Sequence, residues 1–189
     1  MRIEINGDMA SVFTPYNAEF VKAMRMISGA RWDRMIKCWN IPSQAVNAVR
    51  EIMMRVYGET DIVHVDKADI RVTFSDSVRE ECGPITMFGR TIAYAYGRDS
   101  GAKVGEKVAF IKKSPTSGGS RKNWTTVIPS GAVMELYDIP KSMITDGDGY
   151  SVEIIEKVNI QALIAEKEKL LQRLEEINAI LGVGKNMDV

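Results

Sequence analysis

The chain has 189 residues, enough for one or two compact domains of roughly 100–150 residues each. Its 25 Lys and Arg balance 25 Asp and Glu, so no global field steers it onto nucleic acid or membrane, and such binding has to come from a local patch. The apolar fraction, 45%, lets burial offset chain entropy and argues against wholesale disorder. Cys38 and Cys82 lie far apart, without the companions a metal site needs, and read as plain thiols of a reducing compartment. Met1-Arg2-Ile3-Glu4-Ile5 is not a signal sequence, and no apolar run approaches the ~20 residues of a membrane span. A cytoplasmic protein without a membrane partner is expected.

The fold class expected is α+β. Residues 1–63 read as a small β-β-α-β-β-α domain. Arg2 to Ile5 and Ala10 to Phe13 alternate as strands around Asn6-Gly7, a strong hairpin signal. Pro15-Tyr16-Asn17 opens a helix carrying Phe20, Val21, Met24 and Ile27, which Gly29 ends. Short strands follow near Arg31-Trp32 and from Lys37 to Ile41. Pro42-Ser43 starts a second helix with Val46, Val49, Ile52, Met53 and Val56, stopping at Gly58. The apolar run Met35-Ile36-Lys37-Cys38-Trp39 places Cys38 as a buried thiol.

Residues 64–157 change to a period of two. Ile70-Val72-Phe74, Ile92-Tyr94-Tyr96, Val108-Phe110, Trp124-Thr126-Ile128 and Val133-Glu135-Tyr137 read as strands separated by turn residues. Short strands with regular breaks predict a barrel or sandwich. Asp146-Gly147-Asp148-Gly149 is a loop before a last strand at Ser151 to Ile155. Residues 158–182 form a helix with Asn159 as its N-cap. Ile160, Leu163, Lys167, Leu170, Leu174, Ile177 and Leu181 recur three and four apart, the rhythm of a coiled coil, and predict a homo-oligomer, with a helix folded back onto the β-rich part as the competing reading. Residues 183–189 read as a frayed tail.

Several N-terminal residues carry a family likeness: Phe13, Pro15-Tyr16-Asn17, Glu19-Phe20-Val21, Gly29-Ala30-Arg31-Trp32-Asp33 and Lys37-Cys38-Trp39-Asn40-Ile41-Pro42. In them the segment resembles the HARP (HepA-related protein) domain, the accessory module of annealing helicases. The resemblance covers about a third of the chain and implies a role at branched or forked DNA. The chain has no Gly-Lys-Thr/Ser phosphate loop and no Asp-Glu box, so a translocating ATPase is excluded. The overall plan also looks like small accessory proteins of bacteriophages and integrated elements.

Two groups of residues stand out as candidate contact sites. Trp32 and Trp39 suit half-buried strand positions, and Arg31, Arg34 and Lys37 offer a basic rim to phosphates. The segment from Arg98 to Lys122 holds seven cations against Asp99 and Glu106. Within it, Lys112, Lys113, Arg121 and Lys122 flank a flexible Gly/Ser loop that leads to Trp124, where an anion or a stacked base would fit. A solvated hairpin tip with Trp124 turned inward is the competing reading.

Catalysis has little support. His64 has no adjacent nucleophile signature, Asp146-Gly147-Asp148 lacks a complete calcium loop, and the adjacent Glu80 and Glu81 would face opposite sides if they lay in a strand. A non-enzymatic protein with no cofactor and no metal is expected. Its expected partner is nucleic acid or a nucleic-acid-binding host protein. The alternatives are an anti-defence inhibitor of a host CRISPR-type nuclease and a sponge for a signalling nucleotide.

Overall fold

The computed structural model describes residues 1–156 and 160–182. The expected Asn159 cap and the tail 183–189 lie outside the described residues, as does the side chain of Ile160. Residues Met1–Ile155 form one compact unit, and the C-terminal helix falls in a second. The architecture is α+β, and no described helix is long and apolar enough to cross a membrane.

In the first unit, β1 (Arg2–Asn6) and β2 (Met9–Phe13) form the expected hairpin, with Gly7 at φ 61° in its turn. Helix α1 (Ala18–Met24) is capped by Asn17, whose Oδ1 accepts from the Glu19 and Phe20 amides at 2.8 and 3.1 Å. It ends one turn earlier than the periodicity predicts, because the Met26 and Ile27 amides bond three residues back rather than four. Strands β3 (Arg31–Asp33) and β4 (Cys38–Pro42) complete a sheet in the order β1-β2-β4-β3. A 3-10 turn at Ser43–Ala45 leads into α2 (Val46–Tyr57), which Gly58 ends at φ 73°. Phe20, Met24, Trp39, Ile41, Val49, Met53 and Val56 share the core between helices and sheet.

The β-rich part is not a closed barrel. Its strands are β5 (Lys67–Phe74), β6 (Val78–Glu81), β7 (Ile85–Met87), β8 (Arg90–Ala95), β9 (Ala102–Val104), β10 (Val108–Lys112), β11 (Thr116–Gly119), β12 (Trp124–Ile128), β13 (Val133–Pro140) and β14 (Tyr150–Ile155). They make three small sheets, ordered β10-β13-β5-β14, β11-β12-β6 and β7-β8-β9. Ladders are cut short where Pro84, Pro115 and Pro129 lack an amide hydrogen, and where Cys82, Phe88, Lys107 and Lys113 turn to positive φ. Each sheet therefore keeps two edges instead of joining a ring. Ile70, Val72, Phe74, Ile92, Met134 and Leu136 form the core they enclose.

Four of these strands, β6, β7, β9 and β11, were not expected from the sequence. Among them β11 corrects the flexible Gly/Ser loop: Thr116 to Gly119 pair with Val127 to Trp124. The bulge in β13 after Leu136 is held by neighbours. Asp69 accepts from the Asp138 amide at 2.9 Å, and Arg90 donates to the Tyr137 and Asp138 carbonyls.

Helix α3 (Ile160–Leu181) is a single helix about 33 Å long at 1.5 Å per residue. Its seam residues Leu163, Leu170, Leu174, Ile177 and Leu181 are all exposed.

Candidate nucleic-acid interface

The β3–β4 hairpin is built around Asp33. Its Oδ1 accepts from the Met35 amide at 2.8 Å and the Ile36 amide at 3.2 Å, which folds residues 34–37 into a tight turn. Trp39 faces the core and is only 7% exposed, while its cross-strand partner Trp32 sits on the edge strand and is 47% exposed. The two rings pack at 5.6 Å between centroids, so Trp32 is held rigidly with part of its surface open to solvent.

The turn also places two apolar side chains in water. Met35 is 91% exposed and Ile36 55%, although both belong to the apolar run in which Cys38 was expected to be buried. Only Cys38 and Trp39 of that run are buried. The Asp33 turn lifts the first residues of the run off the sheet.

Arg31, Arg34 and Lys37 are exposed on this same hairpin. None forms an ion pair with a described residue. Lys37 has φ 52°, a left-handed conformation that costs a side chain with a Cβ roughly 1 kcal/mol or more. Lys107 and Lys113 share that conformation, at φ 57° and 56°, and their ammonium groups have acceptors. Lys107 Nζ lies 2.6 Å from Asp138 Oδ2, and Lys113 Nζ donates to the Ser130 carbonyl at 2.7 Å. Lys37 Nζ has no such acceptor among the described residues, and its backbone conformation belongs to the turn that Asp33 closes.

The second predicted group is divided by the fold. Lys112 and Lys113 lie before β11, near Ser130, whereas Arg121 and Lys122 lie beyond its far end, in the β11–β12 turn. Four strand residues at about 3.3 Å each put roughly 13 Å between the two pairs. Trp124 is half-buried opposite Gly119, and the carbonyl of Lys122 accepts from the exposed thiol of Cys82 at 3.6 Å. Of the remaining cations in this segment, Arg98 is paired with Asp99 at 2.8 Å. The structure thus exposes Arg31 at the base of this hairpin and Arg34 and Lys37 in its turn, and separates Lys112 and Lys113 from Arg121 and Lys122.

An aromatic patch not counted among the site residues lies on β8 and β9. Tyr94 and Tyr96 meet edge to face at 5.3 Å, and Lys103 lies 5.7 Å from the Tyr96 ring, itself 70% exposed. The period-two tyrosines were its only sign in the sequence. Ser117 donates to the Arg98 carbonyl at 2.7 Å and ties this patch to β11.

A cleft of about 520 Å³ is walled by Val78, Ile85, Met87, Phe88, Met143 and Tyr150, with Glu80 and Asp148 also lining it. Its acidic lining repels phosphate. His64 is exposed in the segment between α2 and β5, and no group of three metal-ligating side chains occurs among the described residues. No protein-family model, no curated protein and no solved structure is similar enough to this chain to count as a match.

Proposed function

We propose that the protein is a non-enzymatic, nucleic-acid-associated binding protein whose contact surface is the Arg31–Lys37 hairpin, and that α3 joins it into an oligomer. The observation that carries this reading is the hairpin itself: three exposed cations with no ion pair among the described residues, and a part-exposed tryptophan on the same hairpin. The segment's net charge is three cations minus Asp33, or +2, and the Asp33 carboxylate is already taken by the turn amides. Cations of this kind meet backbone phosphates without reading sequence. The Trp32 face supplies a stacking surface for an unpaired base, and Met35 and Ile36 are the type of side chain that wedges between base steps. An oligomer repeats this modest surface and gains avidity without new contacts. The likeness of this segment to the HARP domain points to the same class of ligand.

Fluorescence anisotropy with a labelled forked DNA and a labelled single strand, over a salt series, tests the reading. Wild-type affinity falls steeply with salt, because neutralising phosphates releases counterions. Arg34→Glu with Lys37→Glu weakens binding by roughly tenfold or more, with stability unchanged within about half a kcal/mol. Salt-insensitive binding that survives this double reversal overturns the hairpin as a nucleic-acid contact. In that event the open faces of Trp32, Met35 and Ile36 favour a protein partner, such as the nucleic-acid-binding host protein of an anti-defence role.

A further inference from the structure

Helix α3 carries a directional pattern that goes beyond association as such. Taking Ile160 as the first core position of a heptad, Lys167 and Leu174 are further first-type core positions, and Leu163 and Leu170 the second type. Glu166 and Arg173 occupy one flank, and Ile164 and Leu171 the other. Leu163, Glu166, Lys167, Leu170, Leu171 and Leu174 do line one continuous groove along the helix. Most of a helix's stability in a protein comes from packing its amphipathic face, and the stripe of core positions plus one flank is wider than a two-residue seam.

We infer that α3 pairs with the α3 of a second copy in antiparallel orientation, Leu163 facing the partner's Leu174 and Lys167 the partner's Leu170. This rests on the association proposed above and specifies its geometry. Side-by-side parallel pairing stacks Lys167 on the partner's Lys167, and sets Glu166 beside the partner's Leu171 and Arg173 beside the partner's Asn178, with no ion pair. Antiparallel pairing at the stated register sets Glu166 beside the partner's Arg173 twice along one edge, and Ile164 beside the partner's Leu171 twice along the other. Sliding by one heptad either way brings Glu166 onto the partner's Glu166, or Arg173 onto the partner's Arg173. Charge complementarity therefore selects one orientation and one register. Arg173 also bonds Glu176 of its own helix at 2.7 Å. That pair is exposed, and the guanidinium has five donors, so it serves both carboxylates.

Lys167 lies in the seam, but its ammonium reaches past the partner's Leu170 to water. In the parallel arrangement two such ammoniums meet.

The test uses the full chain with Cys82→Ser and compares Leu163→Cys, Leu174→Cys and an equimolar mixture of the two under mild oxidation. Only the mixture forms a disulfide-linked dimer, because equivalent residues lie roughly 16 Å apart along an antiparallel pair, beyond disulfide reach. In light scattering, Glu166→Arg weakens association by roughly tenfold, and adding Arg173→Glu restores it. Cross-linking of either variant with itself, or no rescue by the second reversal, overturns the antiparallel register while leaving association intact. A wild type that stays monomeric at micromolar concentration overturns the association itself, and with it this inference.

Discussion

The Asp61 carboxylate shows how one residue ties a segment to the fold. Arg50 on α2 holds it with two hydrogen bonds, Nε to Oδ1 at 2.9 Å and Nη2 to Oδ2 at 2.7 Å, and the Asp61 side chain is only 8% exposed. The Arg50 hydrogen bonds keep the carboxyl below its usual range. A depressed folded value means the contribution is complete above the unfolded carboxylate value of about 4 and is lost as pH falls through the lower folded one. Asp61→Asn is expected to cost about 1–3 kcal/mol near neutral pH. In urea unfolding at pH 7, 5 and 3 the gap between wild type and variant is constant over the first two and narrows at the third. Trp39 is a second such residue: buried against Val12 and Trp32, it is expected to cost roughly 3–5 kcal/mol as Ala, read as a lowered melting temperature.

At the scale of elements, the strongly periodic pieces were legible and the short ones were not. Asn6-Gly7 named the first hairpin, the Val46, Val49, Met53 and Val56 spacing named α2, and Ile70-Val72-Phe74 named the central strand. Strands β6, β7, β9 and β11 have three or four residues each, too few for a period to register. Thr116-Ser117-Gly118-Gly119 has loop composition, and its strand conformation comes from β12 beside it. The basic rim at Arg31, Arg34 and Lys37 was legible as charge. The exposure of Met35 and Ile36 was not, because composition alone does not distinguish a turn from a strand. Nor was the gap between Lys113 and Arg121, since closeness in sequence does not say on which end of a hairpin a residue sits. Gly105 was equally silent. Its amide donates to the Ile92 carbonyl at 2.8 Å, and a Cβ there would come within 1.8 Å of the Thr91 carbonyl oxygen. Gly105→Ala is expected to pry β9 from β8 and cost roughly 1–3 kcal/mol, measurable as a lower urea midpoint and as loss of the Tyr94 and Lys103 backbone pairing in amide exchange.

Across the whole molecule, two cores lie inside the compact unit Met1–Ile155, and backbone fits backbone where they meet. A Cβ on Gly89 would come within 2.5 Å of the Val56 carbonyl oxygen, at a φ of 72° that already favours glycine. Asn17, the cap of α1, sends its Nδ2 to the Gly89 carbonyl at 3.3 Å, and Thr91 donates to the Tyr16 carbonyl at the same length. The fragment 1–63 lacks all of these partners, and its α2 terminus loses its cover. It is expected to melt without a cooperative transition, where 1–155 melts with one, a contrast that circular dichroism reads directly. The glycine at position 89 thus bears on how the chain can be divided as well as on packing. A fragment that ends at residue 63 keeps the hairpin and its charged residues but gives up the seat Gly89 makes for the end of the second helix, so the smallest piece of this chain that stands by itself is set by that seat.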